Sequence, residues 1–190
     1  KVVTQMGNQG SSGDDTRKIE TWVQSGLIGD VNTVHVWTNR PTWPQGIARP
    51  AGKFDIPGEL GWGLGLRTAP ERDFNPLYLP AIWRGWVDFG TGSLGDMGCH
   101  FIDVPYRALK LGYPVSVECS ITSVFTGFFQ EVFNTDSYPP SSKTHIQFPR
   151  RGNMPPVEMV WYDGGIKPKR PAELLPDEEL AEWDGGIIFE

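Results

Sequence analysis

Apolar and polar positions alternate with a period of two in a few short stretches of this chain. In "VNTVHVWTN", Val31, Thr33, His35 and Trp37 oppose Asn32, Val34, Val36 and Thr38. That pattern predicts a strand with two usable faces. "YPVSVECSITSVF" (113–125), "KTHIQFP" (143–149), "PPVEMVWYDGG" (155–165) and the closing "GGIIFE" read as further strands, the third ending in an Asp-Gly-Gly turn. The opening residues 1–6 predict one more short strand. "EVFNTDSYPPSS" reads as a connection.

A longer period marks two helices. In "DDTRKIETWVQSGLIG", Ile19, Trp22 and Val23 recur at helical spacing. Ser11, Ser12 or Asp14 is placed to cap that helix, Asp14 and Asp15 suit its dipole, and Gly26 is a natural stop. The second helix, "GSLGDMGCHFIDVPYRALKLG" (92–112), carries two stripes. Met97, Phe101, Val104, Ala108 and Leu111 form an apolar face for the core. Asp96, His100, Asp103 and Arg107 form a polar stripe about a quarter turn away, at the core's margin. This helix holds Gly92, Gly95, Gly98 and Pro105, at about 1 kcal/mol per interior glycine and about 3 kcal/mol for an interior proline. Pro105 predicts a kink, and the glycines predict a face that something approaches closely. Residues 171–183 predict a short acidic helix. The order of elements predicts an α+β fold, an open, mostly antiparallel sheet with helices on one face.

Residues 40–90 show little periodicity but many Pro, Gly and Trp residues. The chain has 23 Gly and 17 Pro among 190 residues, with 8 Trp, 10 Phe and 5 Tyr. Aromatic content on that scale predicts a folded protein with long ordered connections. The formal charge is −6 and the pI near 5.1, with no basic run. Nucleic acid is therefore not an expected partner. No stretch approaches the roughly 20 apolar residues of a membrane span, so no membrane partner is expected. Cys99 and Cys119 make no disulfide framework and read as buried free thiols.

The candidate chemistry lies on the second helix and the segment before it. A carboxylate and an imidazole four residues apart on a helix can touch, and the carboxylate then raises and orients the imidazole. Asp96 and His100 are so spaced. A surface helix with ordinary i, i+4 pairs fits the same spacing. Asp96, His100 and Asp103 could also supply three metal ligands, but no second His or Cys is placed to help, and no metal is expected. In "WRGWVDFGTG" (83–92), Trp faces can stack on rings and Arg84 can clamp hydroxyls or a carboxylate. Trp83 and Trp86 equally suit a plug packed on the sheet. His35 and His145 read as ordinary strand residues. "GNQGSSG" (7–13) follows one element and precedes a helix, but its G-x-x-G-x-x-G spacing is not the dinucleotide fingerprint.

"TQMGNQG", "SGLIGDVNTVHVWTNRP", "WPQG" and above all "WRGWVDFGTGSLGDMGCHFIDVPYRALKLGYPVSVE" together resemble the Gfo/Idh/MocA family of NAD(P)-dependent oxidoreductases. The resemblance covers most of residues 1–120. It implies that residues 1–29 are the last strand and helix of a Rossmann domain lying otherwise outside this sequence. Residues 30–190 would be the α+β domain that binds substrate and mediates oligomers, cut before its final strands. The family's D-x-x-x-H-x-x-D helix matches Asp96, His100 and Asp103, implying His100 as the acid/base and Asp96 as its partner. Asp103, Arg84 and Trp83 would bind a sugar or polyol, and Asn8 and Gln9 would lie near the nicotinamide of NAD or NADP. The family's E-K-P lysine and its nucleotide fingerprint do not occur in residues 1–190. Ser11 replaces a histidine common in relatives, and Gly61 and Gly63 replace acidic residues. The resemblance implies a homo-oligomer formed through the sheet. It leaves an NAD-cycling glycosidase or lyase in view, and the tryptophan content leaves a non-catalytic carbohydrate-binding module in view.

Overall fold

The computed structural model of the chain describes residues 1–66, 68–180 and 185–190. The first helix, α1 (Asp14–Gln24), leads to strand β1 (Thr33–Thr38), and a long segment containing the short α2 (Trp62–Leu66) follows. The predicted second helix forms in two pieces, α3 (Gly92–Phe101) and α4 (Asp103–Ala108). Then come β2 (Ser116–Ile121), β3 (Val124–Gly127), β4 (Gln130–Val132), β5 (Ser142–Phe148), β6 (Val157–Tyr162) and β7 (Gly185–Phe189).

Five strands form one open sheet in the order β2-β5-β6-β1-β7. Only β1 and β6 run parallel; β2–β5, β5–β6 and β1–β7 are antiparallel. Register decides which side chains share a face. Val34 opposes Met159 and Val36 opposes Trp161, while Ile146 opposes Met159 and Ile187 opposes Val36. This face is covered by the helices: Ile19 and Val23 from α1, Leu94, Met97 and Phe101 from α3, Ala108 from α4. Val34, Val36, Met159, Trp161 and Ala108 are completely removed from solvent. The mostly antiparallel α+β architecture therefore follows the expected pattern, with helices on one face.

The opposite face carries His35, Trp37, Val160, Tyr162, Lys143 and His145, and Leu180 packs on its apolar part. His35 and His145 are strand residues as read from the sequence. His145 pairs with Glu158 Oε1 at 2.8 Å, and His35 Nδ1 meets the Tyr162 hydroxyl at 3.0 Å.

Several expectations are corrected. Residues 1–6 form no strand: Val2, Val3 and Met6 are exposed, and among the described residues no strand pairs with them. Gly13, not Ser11, Ser12 or Asp14, occupies the cap position of α1, with no side-chain cap; Ser11 and Ser12 lie instead in a 3₁₀ turn, Gln9–Ser12. Residues 113–125 are not one strand, because the chain turns at Thr122 and Ser123, and β3 pairs with β4 in a separate hairpin. The acidic segment 171–180 is not helical, and residues 181–183 lie outside the described residues. Pro171 and Pro176 remove amide donors there. Arg170 gathers the Leu174, Leu175 and Glu178 carbonyls into a turn. Cys99 and Cys119 are both exposed rather than buried. Cys119 lies on the edge strand β2, beyond the reach of the helices.

Residues 43–90 fold around a core of their own. Trp62, Leu66, Phe74, Tyr78 and Trp86 are buried together, with Ile47, Leu60, Leu79 and Phe89 against them. Trp86 therefore plugs this cluster and not the sheet.

Candidate active site

Sequence chemistry explains why the central helix is broken. Pro105 lacks the amide that would bond the Phe101 carbonyl, and its ring crowds that carbonyl. The helix accordingly ends at Phe101 and restarts at Asp103, three residues before the position the proline itself would suggest. Two of the glycines have an internal explanation. Gly92 takes φ +62° with the Tyr138 ring against its Cα, and a side chain at Gly95 would strike Thr91. Packing within the chain thus requires these two without a ligand, whereas a Cβ at Gly98 would meet only Ile102 and Leu94 at 3.4 Å or more, so packing does not account for that glycine.

The polar stripe does lie at the margin of the core, but its contacts differ from those the spacing suggests. Asp96 does not pair with His100. Its Oδ1 accepts from Arg84 Nε at 2.8 Å, in a pair that is about two-thirds buried or more on each side. Arg84 also donates to the Ala81 carbonyl at 2.9 Å and lies 4.8 Å over the Trp83 ring and 5.8 Å over Trp43. Arg84 is therefore occupied by a carboxylate of its own chain.

At the other end of the stripe, Arg107 binds the Ser11 carbonyl at 2.9 Å, its hydroxyl at 3.2 Å and Glu20 Oε2 at 3.3 Å. Asp103 lies 3.9 Å from Arg107, and its Oδ2 is buried without a hydrogen bond. Asn8 Nδ2 donates to the Cys99 carbonyl at 2.9 Å. Because that partner can only accept, the amide orientation is set, and Asn8 Oδ1 is left buried with no partner. Gln9 is exposed at the start of the 3₁₀ turn.

His100 stands between these two anchored regions, exposed and without a protein partner among the described residues. Its neighbour Cys99 is a poor nucleophile: partial desolvation, then the Asp96 charge, push its thiol up from the ordinary value. Among the described residues, no three His, Cys, Asp or Glu side chains gather as metal ligands would.

Two features escape sequence reasoning. Trp62, Tyr78, Trp83, Asp88 and Phe89 line a cavity of about 540 Å³. No periodicity marks it; the density of aromatics among glycines in residues 60–90 is its one sequence signal. Asp163, read only as a turn residue, is buried and accepts from the Ser142 amide at 2.5 Å, the Ser142 hydroxyl at 2.8 Å and Trp161 Nε1 at 2.9 Å. Burial outweighs these bonds and pushes its carboxyl up from the ordinary value.

The family model for the oxidoreductase family C-terminal alpha/beta domain, of the Gfo/Idh/MocA group, matches residues 12–126. The chain belongs to the Gfo/Idh/MocA oxidoreductase family. The match takes in α1, the aromatic segment and all of the polar stripe. A search of curated proteins finds no significant match. Among solved structures, the chain is similar to the super-repressor mutant of Gal80p from Saccharomyces cerevisiae, Gal80(S0)-[G301R]. That likeness has 16% identity and a TM-score of 0.47, and covers 87% of this chain and 36% of the other. The chain thus spans little more than a third of that protein's length.

Proposed function

We propose that residues 1–190 form the substrate-binding part of an NAD(P)-dependent oxidoreductase acting on a sugar or polyol hydroxyl, with His100 as the acid/base. The observation that carries this reading is that His100 is exposed and free of protein partners among the described residues, on a stripe that binds a separate segment at each end, and these two segments are read as the walls of the site. One wall is the Asn8–Ser11 loop, held by Asn8 on the Cys99 carbonyl and by Arg107 on Ser11. The other is the Trp83–Arg84 turn, held by Asp96.

In this reading His100 takes the hydroxyl proton as the carbon is oxidised. Asp96 is a positioning residue that acts through Arg84 and holds the Trp83 wall. Asp103, whose Oδ2 faces Arg107 at 3.9 Å without a hydrogen bond, is assigned to the substrate side of the stripe. The nicotinamide fits what the chain offers. Asn8 Oδ1 is a buried acceptor without a donor, suited to a carboxamide N–H, and the exposed Gln9 lies beside it. When bound, the oxidised nicotinamide supplies the hydride acceptor. The nucleotide's phosphates are assigned to residues outside this sequence.

The test is turnover of the full-length protein with NAD or NADP over a panel of sugars and polyols. His100→Asn should lower the rate about 100-fold or more, the range of a lost general base, with cofactor affinity little changed. Wild-type turnover in that variant would overturn the reading. The proposal extends to a homo-oligomer through the sheet, where β2 is exposed along its whole length. Light scattering should give a mass above the monomer at high concentration, and a monodisperse monomer would contradict this part.

A further inference from the structure

The cavity beside Trp83 has no role in the proposed reaction, yet it adjoins the stripe that bears His100. Trp83 forms part of its wall, Arg84 covers one face of Trp83, and Arg84 is bonded to Asp96 on the stripe that bears His100. The volume, about 540 Å³, lies within the range of pockets that hold whole small molecules.

The lining selects the chemistry of the occupant. Trp83 and Phe89 present aromatic surface at the wall, backed by the buried Trp62 and Tyr78, whose rings stack on each other at 5.9 Å. Such walls suit a ring with an apolar face. A cationic ligand is disfavoured, because the Arg72 guanidinium already lies 4.9 Å over Phe89 and 5.7 Å over Tyr78. An anion gains no net attraction there either, because the Arg72 charge is already met by Asp88, which lines the cavity. Arg72 and Asp88 neutralise each other through Asp88 Oδ2, so this corner adds no net charge. Asp88 Oδ1 has no protein partner among the described residues and can accept a hydrogen bond, and Thr68 on the rim can donate or accept one. A neutral ring with hydroxyls around an apolar face meets all of these conditions.

We propose that this cavity is a second sugar subsite, which takes a pyranose ring of a disaccharide or glycoside next to the ring whose hydroxyl faces His100. The proposal rests on the reading above that the substrate is a sugar, and it makes that substrate a glycoside larger than a monosaccharide. Trp83 is the residue that decides between the two sizes.

The experiment is calorimetric titration of the chain, without nucleotide, with cellobiose, maltose and lactose, each beside glucose and galactose. At least one disaccharide should bind tenfold or more tightly than either monosaccharide. Trp83→Ala, at a residue 37% exposed and outside the buried aromatic cluster, should weaken that binding at least tenfold, and Trp83→Phe should restore part of it. Absence of disaccharide binding, or binding indifferent to Trp83→Ala, would overturn the subsite. Because no turnover is read, a failure of the dehydrogenase assay with intact Trp83-dependent binding would remove the oxidoreductase reading and leave the subsite standing.

Discussion

The sheet with its helices and the aromatic segment of residues 43–90 each bury a tryptophan almost completely, by different means. Trp161 has no exposed surface, and its indole N–H meets the Asp163 carboxylate at the end of its own strand. Trp86 is 1% exposed, and its N–H meets the Leu77 carbonyl in an irregular turn. Around Trp161 the backbone is satisfied by strand ladders. Around Trp86 much of that work falls to side chains: Trp62 bonds the Arg72 carbonyl, Asn75 the Ala51 carbonyl and Ser137 the Ile47 amide and carbonyl. Ladders leave a period in the sequence and such contacts do not. The two clusters are separate, and the polar stripe of α3 lies where they meet through Arg84 and Asp96.

The largest effects should come from removing the two tryptophans. Trp161→Ala should destabilise the whole protein by about 3–5 kcal/mol, the cost of a large buried aromatic. Trp86→Ala carries a similar local cost, but hydrogen exchange should speed up within residues 43–90 while β5 and β6 amides keep their protection. Equal loss of protection in both regions would show one cooperative unit and dissolve the comparison.

Next comes Asp163, which ties the Trp161 side of the comparison together. Asp163→Ala strands three buried donors and should cost about 3 kcal/mol. Asp163→Asn isolates the pH dependence. An unfolded aspartate titrates near 3.9, and burial raises the folded value. Between the two values the folded protein holds a proton that the unfolded chain has released. Stability from this group is therefore lost as pH rises through that window. Urea midpoints from pH 4 to 7 should show the wild type losing ground to Asp163→Asn as pH rises, and the opposite slope would contradict the raised carboxyl.

The smallest stability effect belongs to the junction. Arg84→Met and Asp96→Asn should each change stability by less than about 1 kcal/mol, as for a partly exposed ion pair. Each should raise the KM for the sugar more than it lowers kcat, because the Trp83 wall loosens while His100 remains. A pure fall in kcat would show that Asp96 acts on His100 directly.

How far the sequence speaks follows the same division. β1, β5 and β6 were legible from alternation, β7 from its apolar run after a turn, and α1 from Ile19 and Val23. The two stripes of 92–112 were legible too, because helical spacing is a local property. The partners of the polar stripe were not. Asp96 chooses Arg84, twelve residues earlier, over His100, and Arg107 reaches back to Ser11. Long-range pairing of this kind depends on where an aperiodic segment folds. Gly95 misled for a related reason: its need is set by Thr91, a contact within the turn, and not by a ligand. The strand expected at residues 1–6 failed because apolar alternation makes a strand only where an edge is available to pair with it.

The central claim is that His100 is the base of this site, and the pH dependence of kcat/KM in the full-length protein tests it most directly. A general base works only when unprotonated, so the wild-type profile should fall on its acid side. In His100→Asn the profile should lie about 100-fold lower near pH 8 and lose that acid limb. An acid limb that survives unchanged in His100→Asn, at undiminished kcat/KM, would contradict the account.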